Sequence, residues 1–295
     1  MGDLLRSGFF RYTHSAVFKV CAVLTAVFAF LFSYKIYDAA ELNEFWFVCG
    51  SIVFAVMITF IIGNETSKCI RNKIPTGHTK TEVYFAEIIL ANMFVVIFFA
   101  VFLAAAAVLN FRLFSHIPPL LALQTIFGFL CMSLLFANVF ASLTCIIPSK
   151  TASAIVCLVL IIALFLTSTV VGQALKEREF YRVGELRDGE WVHWEEKNSK
   201  YVDEPWRSVL TFYRDANPYG QRSAYDEILL PFLYNDGSWE KAKEATANTI
   251  GNDFLKREVS ESEQEFLNNT PFAILAPIPV FVLAGWLIFR KRSFK

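Results

Sequence analysis

Long apolar runs separated by short polar flanks dominate the chain: approximately Phe18–Tyr34, Phe45–Ile62, Tyr84–Leu109, Ile117–Ile147, Ala152–Val171 and Pro271–Phe289. A hydrocarbon layer about 30 Å thick requires about 20 apolar residues in helical form, because a peptide group inside it finds no water to bond. Six such runs predict an all-α polytopic membrane protein with six transmembrane helices. The fourth run is long enough to tilt or to bend near Gly128, and Pro277 with Pro279 predicts a kink in the sixth. The first run has no small-residue cleavage site and leads into a further span, so it is not read as a signal peptide.

Between the fifth and sixth runs the pattern changes. Gln173–Glu179 are good helix formers that extend the fifth span. The alternating stretch Val183–Trp194 around Asp188-Gly189 predicts a β-hairpin. Behind Pro205, a favoured first-turn residue, Trp206, Val209, Leu210 and Tyr213 recur at helical spacing. Further helices are predicted over Ser223–Leu233, Ser238–Thr249 and Ser260–Leu267, the last opened by a Ser260/Glu263 capping box. Three parts result: a membrane part over residues 1–173, a mostly helical segment with a hairpin over 174–270, and a sixth span with a basic tail over 271–295. Four of the six Trp (Trp191, Trp194, Trp206, Trp239) fall in the middle part, where aromatic packing is the favoured account over a ligand cage.

Composition supports this division. Hydrophobic residues make up 55% and charged residues 18% of the 295, too much apolar surface for a soluble globule of this size. The formal charge is zero, so no global basic field recruits nucleic acid. The zero hides an asymmetry: residues 174–270 carry 13 Lys+Arg against 20 Asp+Glu, a net of −7, and the remainder carries +7. Arg6, Arg11, Lys19, Lys68, Arg71, Lys73, Lys80, Lys150, Arg290, Lys291, Arg292 and Lys295 lie on one alternating set of flanks, and only Lys35 and Arg112 on the other. The rule that Lys and Arg stay inside places both termini in the cytoplasm and 174–270 outside the cell membrane. All six Cys lie in or beside spans, so the outer segment has no disulfide framework and must fold on its own core or lean on the membrane part.

The chemistry-bearing residues are sparse. His14 and His78 fall on the inner side and His116 and His193 on the outer, so the four cannot assemble a zinc site, and no His-Glu-x-x-His, Gly-x-Ser-x-Gly or Cys-x-x-Cys is present. The chain is therefore read as non-enzymatic. Ion-coupled transport needs ionisable groups near the bilayer centre. The span interiors hold Thr25, Asn92, Gln124, Ser133, Asn138, Ser142, Thr144 and Thr167, while Glu87 and Lys19 sit near inner ends where snorkelling suffices. These polar groups have two uses, hydrogen bonds between neighbouring helices or a substrate path, and Asn92, Gln124 and Asn138 are the path candidates. The phosphate-loop motif Gly-x-x-x-x-Gly-Lys-Ser/Thr is also missing, so no ATP is bound by that route.

Between the second and third runs lies a charged loop, residues 63–84. Glu65–Lys73 can form a short polar helix, Pro75–Gly77 breaks it, and Thr79 with Glu82 forms a capping box for the next helix. The stretch Glu65, Ile70-Arg71-Asn72-Lys73, Gly77-His78-Thr79-Lys80 and Tyr84 resembles the first cytoplasmic loop of permease subunits of type-2 ABC exporters of Gram-positive bacteria, departing at Cys69 where Thr is usual. Asn198–Arg207, Asp215–Gln221 with its Pro-x-Gly-Gln element, and the basic ending Phe289–Lys295 are similar to the same family.

The resemblance implies six spans, both ends inside, and an N-terminal helix on the inner membrane surface, to which the Leu4, Leu5, Phe9 and Tyr12 stripe beside Arg6 and Arg11 corresponds. It implies a separate ATP-binding-cassette subunit, in two copies, that binds ATP and Mg2+; this chain itself would hold no cofactor. A second permease, identical or paralogous, completes the assembly. Glu65, Arg71, Asn72, Lys73, Gly77 and His78 would form the coupling region. A path of Phe and small residues without fixed charge favours an amphipathic or lipophilic cargo, such as a hydrophobic antimicrobial peptide. The alternative is a membrane sensor or immunity protein whose acidic outer segment binds cationic peptides without transporting them, in which case binding weakens with salt. An intramembrane enzyme would need a reactive pair that the sequence does not offer.

Overall fold

The structure is a computed structural model that describes residues 1–35, 77–109, 119–147, 149–187, 190–221 and 261–291, with seven helical positions between Ile52 and Ile62. The fold is mostly helical. Its elements are α1 (Gly2–Thr13), α2 (Ala16–Lys35), α3 (Lys80–Leu109), α4 (Pro119–Ile146), α5 (Lys150–Lys176), β1 (Phe180–Arg187), β2 (Glu190–Lys197), α6 (Trp206–Ala216), α7 (Glu261–Leu275) and α8 (Pro277–Lys291). Among the described residues four helical stretches are long and apolar enough to cross a membrane: Lys80–Ala105, Ala122–Ile146, Lys150–Lys176 and Leu267–Lys291; Ala16–Val27 is a shorter apolar helix. These correspond to the third to sixth runs. Most of the second run and the helices expected over Ser223–Leu233 and Ser238–Thr249 lie outside the described residues.

Helix α4 is the centre of the bundle and packs against α3, α5, α7 and α8. Within its apolar window 67% of residues are buried, against 22% in α5 and in Leu267–Lys291, so the latter two turn most of their apolar surface outward. That is stable only if lipid or another protein covers it. The core is aromatic. Phe18 of α2 lies between Phe94 and Phe98 of α3 with ring centroids 5.4 and 5.1 Å away, and Phe9 of α1 stacks on Phe94 at 5.8 Å.

Several expectations change on folding. The α1 stripe does not lie free on a surface: Leu4 and Tyr12 are buried, and α1 packs along α3. Glu87 does not snorkel; it is fully buried, and its Oε2 accepts a 2.7 Å hydrogen bond from the Tyr12 hydroxyl. A buried polar group needs a hydrogen-bond partner where water is excluded, and a reading of one helix at a time does not supply one. Helix α4 runs unbroken through Gly128.

At the far end of the chain, α7 continues across residue 271 with Pro271 inside it. The break comes at Ala276, because Pro277 has no N–H to give to the Ala273 carbonyl and its ring crowds that turn. Pro277 then opens α8, where a missing N–H is no loss. The hairpin strands pair as expected, with Phe180 opposite Lys197 and Arg187 opposite Glu190; Asp188 and Gly189 between them lie outside the described residues. Trp194 and Trp206 are 41% and 68% exposed, so neither packs in a core of this chain.

Candidate functional site

Of the six loop residues expected to couple to a partner, Glu65, Arg71, Asn72 and Lys73 lie outside the described residues. Gly77 and His78 are described. Gly77 has φ +96°, a left-handed conformation in which a side chain is strained, so glycine is needed to turn the chain into α3. The turn is then locked by the expected capping box: Thr79 N–H and Oγ1 donate to Glu82 Oε2 at 2.9 and 3.1 Å, and Glu82 N–H donates to Thr79 Oγ1 at 3.2 Å. His78 Nδ1 sits 4.0 Å from the same carboxylate, partly exposed.

This elbow is tied to the C-terminal end of the chain. Lys80 Nζ donates to the Arg290 carbonyl at 3.3 Å, a cation on the last turn of α8 where the helix dipole welcomes one. Trp286 Nε1 donates to Thr81 Oγ1 at 3.1 Å. One turn deeper, the Tyr84 hydroxyl donates to the Val282 carbonyl at 3.0 Å and shares a 2.9 Å hydrogen bond with Ser142 Oγ, joining α3, α8 and α4 at one point. Gly285 makes the point accessible. A Cβ there would overlap the Tyr84 hydroxyl and come within 3.0 Å of Ser142 Cβ.

The three path candidates do not converge. Asn92 and Asn138 form a reciprocal pair: Asn92 Nδ2 donates to Asn138 Oδ1 at 3.1 Å and Asn138 Nδ2 to Asn92 Oδ1 at 2.8 Å. Their second amide hydrogens go to the Ile88 and Leu134 carbonyls at 2.9 and 2.7 Å. Every amide hydrogen of the pair is therefore used, two in joining α3 to α4 and two in bonds back to the preceding turn of each residue's own helix. Gln124 is about 21 Å further along α4 at about 1.5 Å per residue, where its Nε2 donates to Asn268 Oδ1 of α7 at 3.0 Å. Thr25, Ser133 and Thr144 bond back to their own helices, at the Cys21, Phe129 and Phe140 carbonyls; Ser153 Oγ reaches Thr144 Oγ1 at 3.0 Å, linking α5 to α4.

A third arrangement was not legible as a site. Helix α6 runs antiparallel to α5 and close against it. Arg207 Nη2 donates to the Leu175 carbonyl at 2.8 Å, the Tyr213 hydroxyl bonds Thr167 Oγ1, and Asn217 Nδ2 donates to the Leu164 carbonyl at 3.0 Å. The turn Asn217-Pro-Tyr-Gly-Gln221 thus reaches the middle of α5. Its backbone is paired internally: Tyr219 N–H donates to Asn217 Oδ1 at 3.0 Å, and the Gly220 and Gln221 N–H groups to the Asn217 carbonyl at 2.9 and 3.1 Å. Tyr219, 2% exposed, wedges edge-on between Phe136 of α4 and Phe165 of α5, at 5.8 and 5.7 Å. On the outer side of α6, Trp206, Val209 and Phe212 are 68%, 51% and 74% exposed. The sequence signal was the Asn-Pro-x-Gly turn directly behind an amphipathic helix.

No family model matches the chain, and comparison with curated proteins finds no match. Function therefore rests on the residues. Among the described residues no group of three His, Cys, Asp or Glu side chains is placed to hold a metal ion.

Proposed function

We propose that the chain is the membrane-spanning permease subunit of an ATP-binding-cassette exporter, with six spans and both termini in the cytoplasm. Separate ATP-binding subunits supply the work, and a second permease, identical or paralogous, completes the path. The cargo is amphipathic or lipophilic. What supports the reading, beside the resemblance of residues 65–84, is the mechanical character of the elbow. Gly77 sets its direction, the Thr79/Glu82 box fixes it to α3, and Lys80, Thr81 and Tyr84 bind it to α8. A push on the loop is thereby delivered to two helices at once, as an engine outside the chain requires. The outward apolar faces of α5 and α8 fit contact with lipid and a second permease.

The test is co-purification of the full chain with an ATP-binding subunit from its own cell, followed by ATP turnover of the complex. Gly77→Val and His78→Ala should depress turnover while the purified permease keeps its helical content. A permease that recruits no ATP-binding subunit, or turnover unchanged in both variants, counts against the reading.

A further inference from the structure

Under the Asn217–Tyr219 turn the structure holds a cavity of about 230 Å3 between α4, α5 and α8. Its walls are apolar: Phe136 and Val139 from α4, Leu160 and Leu164 from α5, Pro277 and Phe281 from α8. The polar side chains at its roof are occupied. The Tyr213 hydroxyl is held by Thr167 Oγ1 and accepts from Asn217 Nδ2 at 3.1 Å; the other Asn217 amide hydrogen goes to the Leu164 carbonyl, and Asn217 Oδ1 takes the Tyr219 N–H. A water needs two to four polar partners, so such a space is dry, and apolar cavities of about 150 Å3 already take a benzene ring.

Helices α7 and α8 break at Ala276, and Pro277 and Phe281, one turn apart in α8, line the cavity. It is not sealed. Phe281 at its α8 rim is 49% exposed, and Val280 next to it 67%. On α5 the neighbouring Val159 and Ile162 are 59% and 57% exposed. The mouth therefore opens sideways onto apolar surface. Leu164 lies about 21 Å from Lys150 and about 18 Å from Lys176 along α5 at about 1.5 Å per residue, near the middle of the helix. With α5 across a hydrocarbon layer about 30 Å thick, the cavity faces the depth reached by the ends of lipid chains and not by their headgroups.

We propose that this cavity binds the alkyl tail of an amphiphile entering sideways from the outer leaflet, with the Asn217–Tyr219 turn as its fixed roof. The inference rests on the membrane orientation within the proposed function, but it needs no ATP-binding subunit. Helix α6, expected outside the membrane with the rest of 174–270, then dips into the outer leaflet, because it descends from the level of Leu175 to that of Leu164; Trp206, Val209 and Phe212 lie against the tail's upper carbons, and Arg214 and Asp215 are carried there as a 2.8 Å ion pair. On α4 the lining residues Leu135 and Val139 lie one turn before and one residue after Asn138, which itself does not line the cavity.

The test uses the purified full chain in phosphatidylglycerol nanodiscs carrying a two-chain phospholipid with a diazirine at the acyl terminus, and separately a single-chain lysophospholipid with the same group. After illumination, adducts are mapped by mass spectrometry. Labelling at Leu160, Leu164 and Phe281 should exceed that at Met93 and Val96, exposed residues near the middle of α3 that serve as the bilayer reference at the same depth, at least fivefold. Val139→Trp, and the gentler rim variant Leu160→Phe, should remove the excess at Leu164 and Phe281 and leave the reference unchanged. Excess labelling by the phospholipid identifies a resident lipid; excess by the lysolipid alone identifies a single-chain amphiphile of the cargo type. Labelling no higher than the reference with both probes, or an excess that survives both cavity-filling variants, overturns the proposal. Either result is read without ATP, so it stands apart from the success or failure of the transport reading.

Discussion

Replacing Gly285 by alanine sets a methyl group against the point where three helices meet. The new Cβ overlaps the Tyr84 hydroxyl and lies 3.0 Å from Ser142 Cβ. The tyrosine has little freedom to yield, since its hydroxyl is fixed by Ser142 Oγ and the Val282 carbonyl and its ring lies 5.4 Å from Phe289. Overpacking of this kind costs about 1–3 kcal/mol. Tyr84→Phe removes both hydrogen bonds, worth about 0.6 kcal/mol each between helices in membrane proteins, so about 1 kcal/mol together. Independent effects would make Gly285→Ala/Tyr84→Phe worse than either, by about 2–4 kcal/mol in all. Removal of the hydroxyl instead vacates the space that the methyl group needs. The double variant should therefore be more stable than the sum predicts by at least about 1 kcal/mol, with relief incomplete because Ser142 Cβ stays in place. The measurement is the unfolding free energy of the four proteins in mixed micelles titrated with SDS and followed by circular dichroism. Additivity within about 0.5 kcal/mol would falsify the three-helix contact as the reason for glycine at this position.

Asn138→Leu should destabilise the chain by about 1–3 kcal/mol in the same titration, because Asn92 is left buried without its partner, and Asn92→Leu/Asn138→Leu should recover most of the loss; a double variant worse than both singles would contradict the pairing. Tyr12→Phe withdraws a buried hydrogen bond from the Glu87 carboxyl group, worth about 0.5–1.5 kcal/mol, and should expose residues 1–15 to limited proteolysis well before α3; an unchanged cleavage pattern would show that this bond does not hold α1 in place. Glu65→Gln and Arg71→Ala, in the loop outside the described residues, should abolish complex-dependent ATP turnover while helical content stays normal, and full turnover in both would remove the loop from the coupling role. Asn217→Ala withdraws one donor from the Leu164 carbonyl and the Oδ1 acceptor of the Tyr219 N–H and should loosen α6 from α5, read as faster amide exchange at residues 213–221; exchange equal to the parent's would mean that Asn217 does not seat the turn.

Local pattern made much of the fold legible. The four helices long and apolar enough to cross a membrane, the Asp-Gly hairpin, the helix behind Pro205 and the Thr79/Glu82 box all follow from apolar length, two-residue turn chemistry and reciprocal capping, each decided within a few residues. The candidate site was legible only in part. Gly77 and His78 stand at the elbow as the punctuation suggested, yet its attachment to Trp286 and Arg290 joins residues about 200 positions apart, which no local spacing encodes. The same limit applies to Glu87. A lone acidic residue near a span end reads as snorkelling until α1 is seen to cover it.

The sequence by itself determined which segments are apolar enough to leave water, where they stop, and which sign of charge flanks them, because burial of side chains and satisfaction of peptide groups are properties of one helix at a time. Tertiary structure alone decided what each polar group inside is for. Asn92 and Asn138 bind each other, Gln124 binds Asn268, and Asn217 descends along α5 to roof an apolar cavity, since a hydrogen bond or a void exists only once two distant surfaces are brought within about 3 Å of each other.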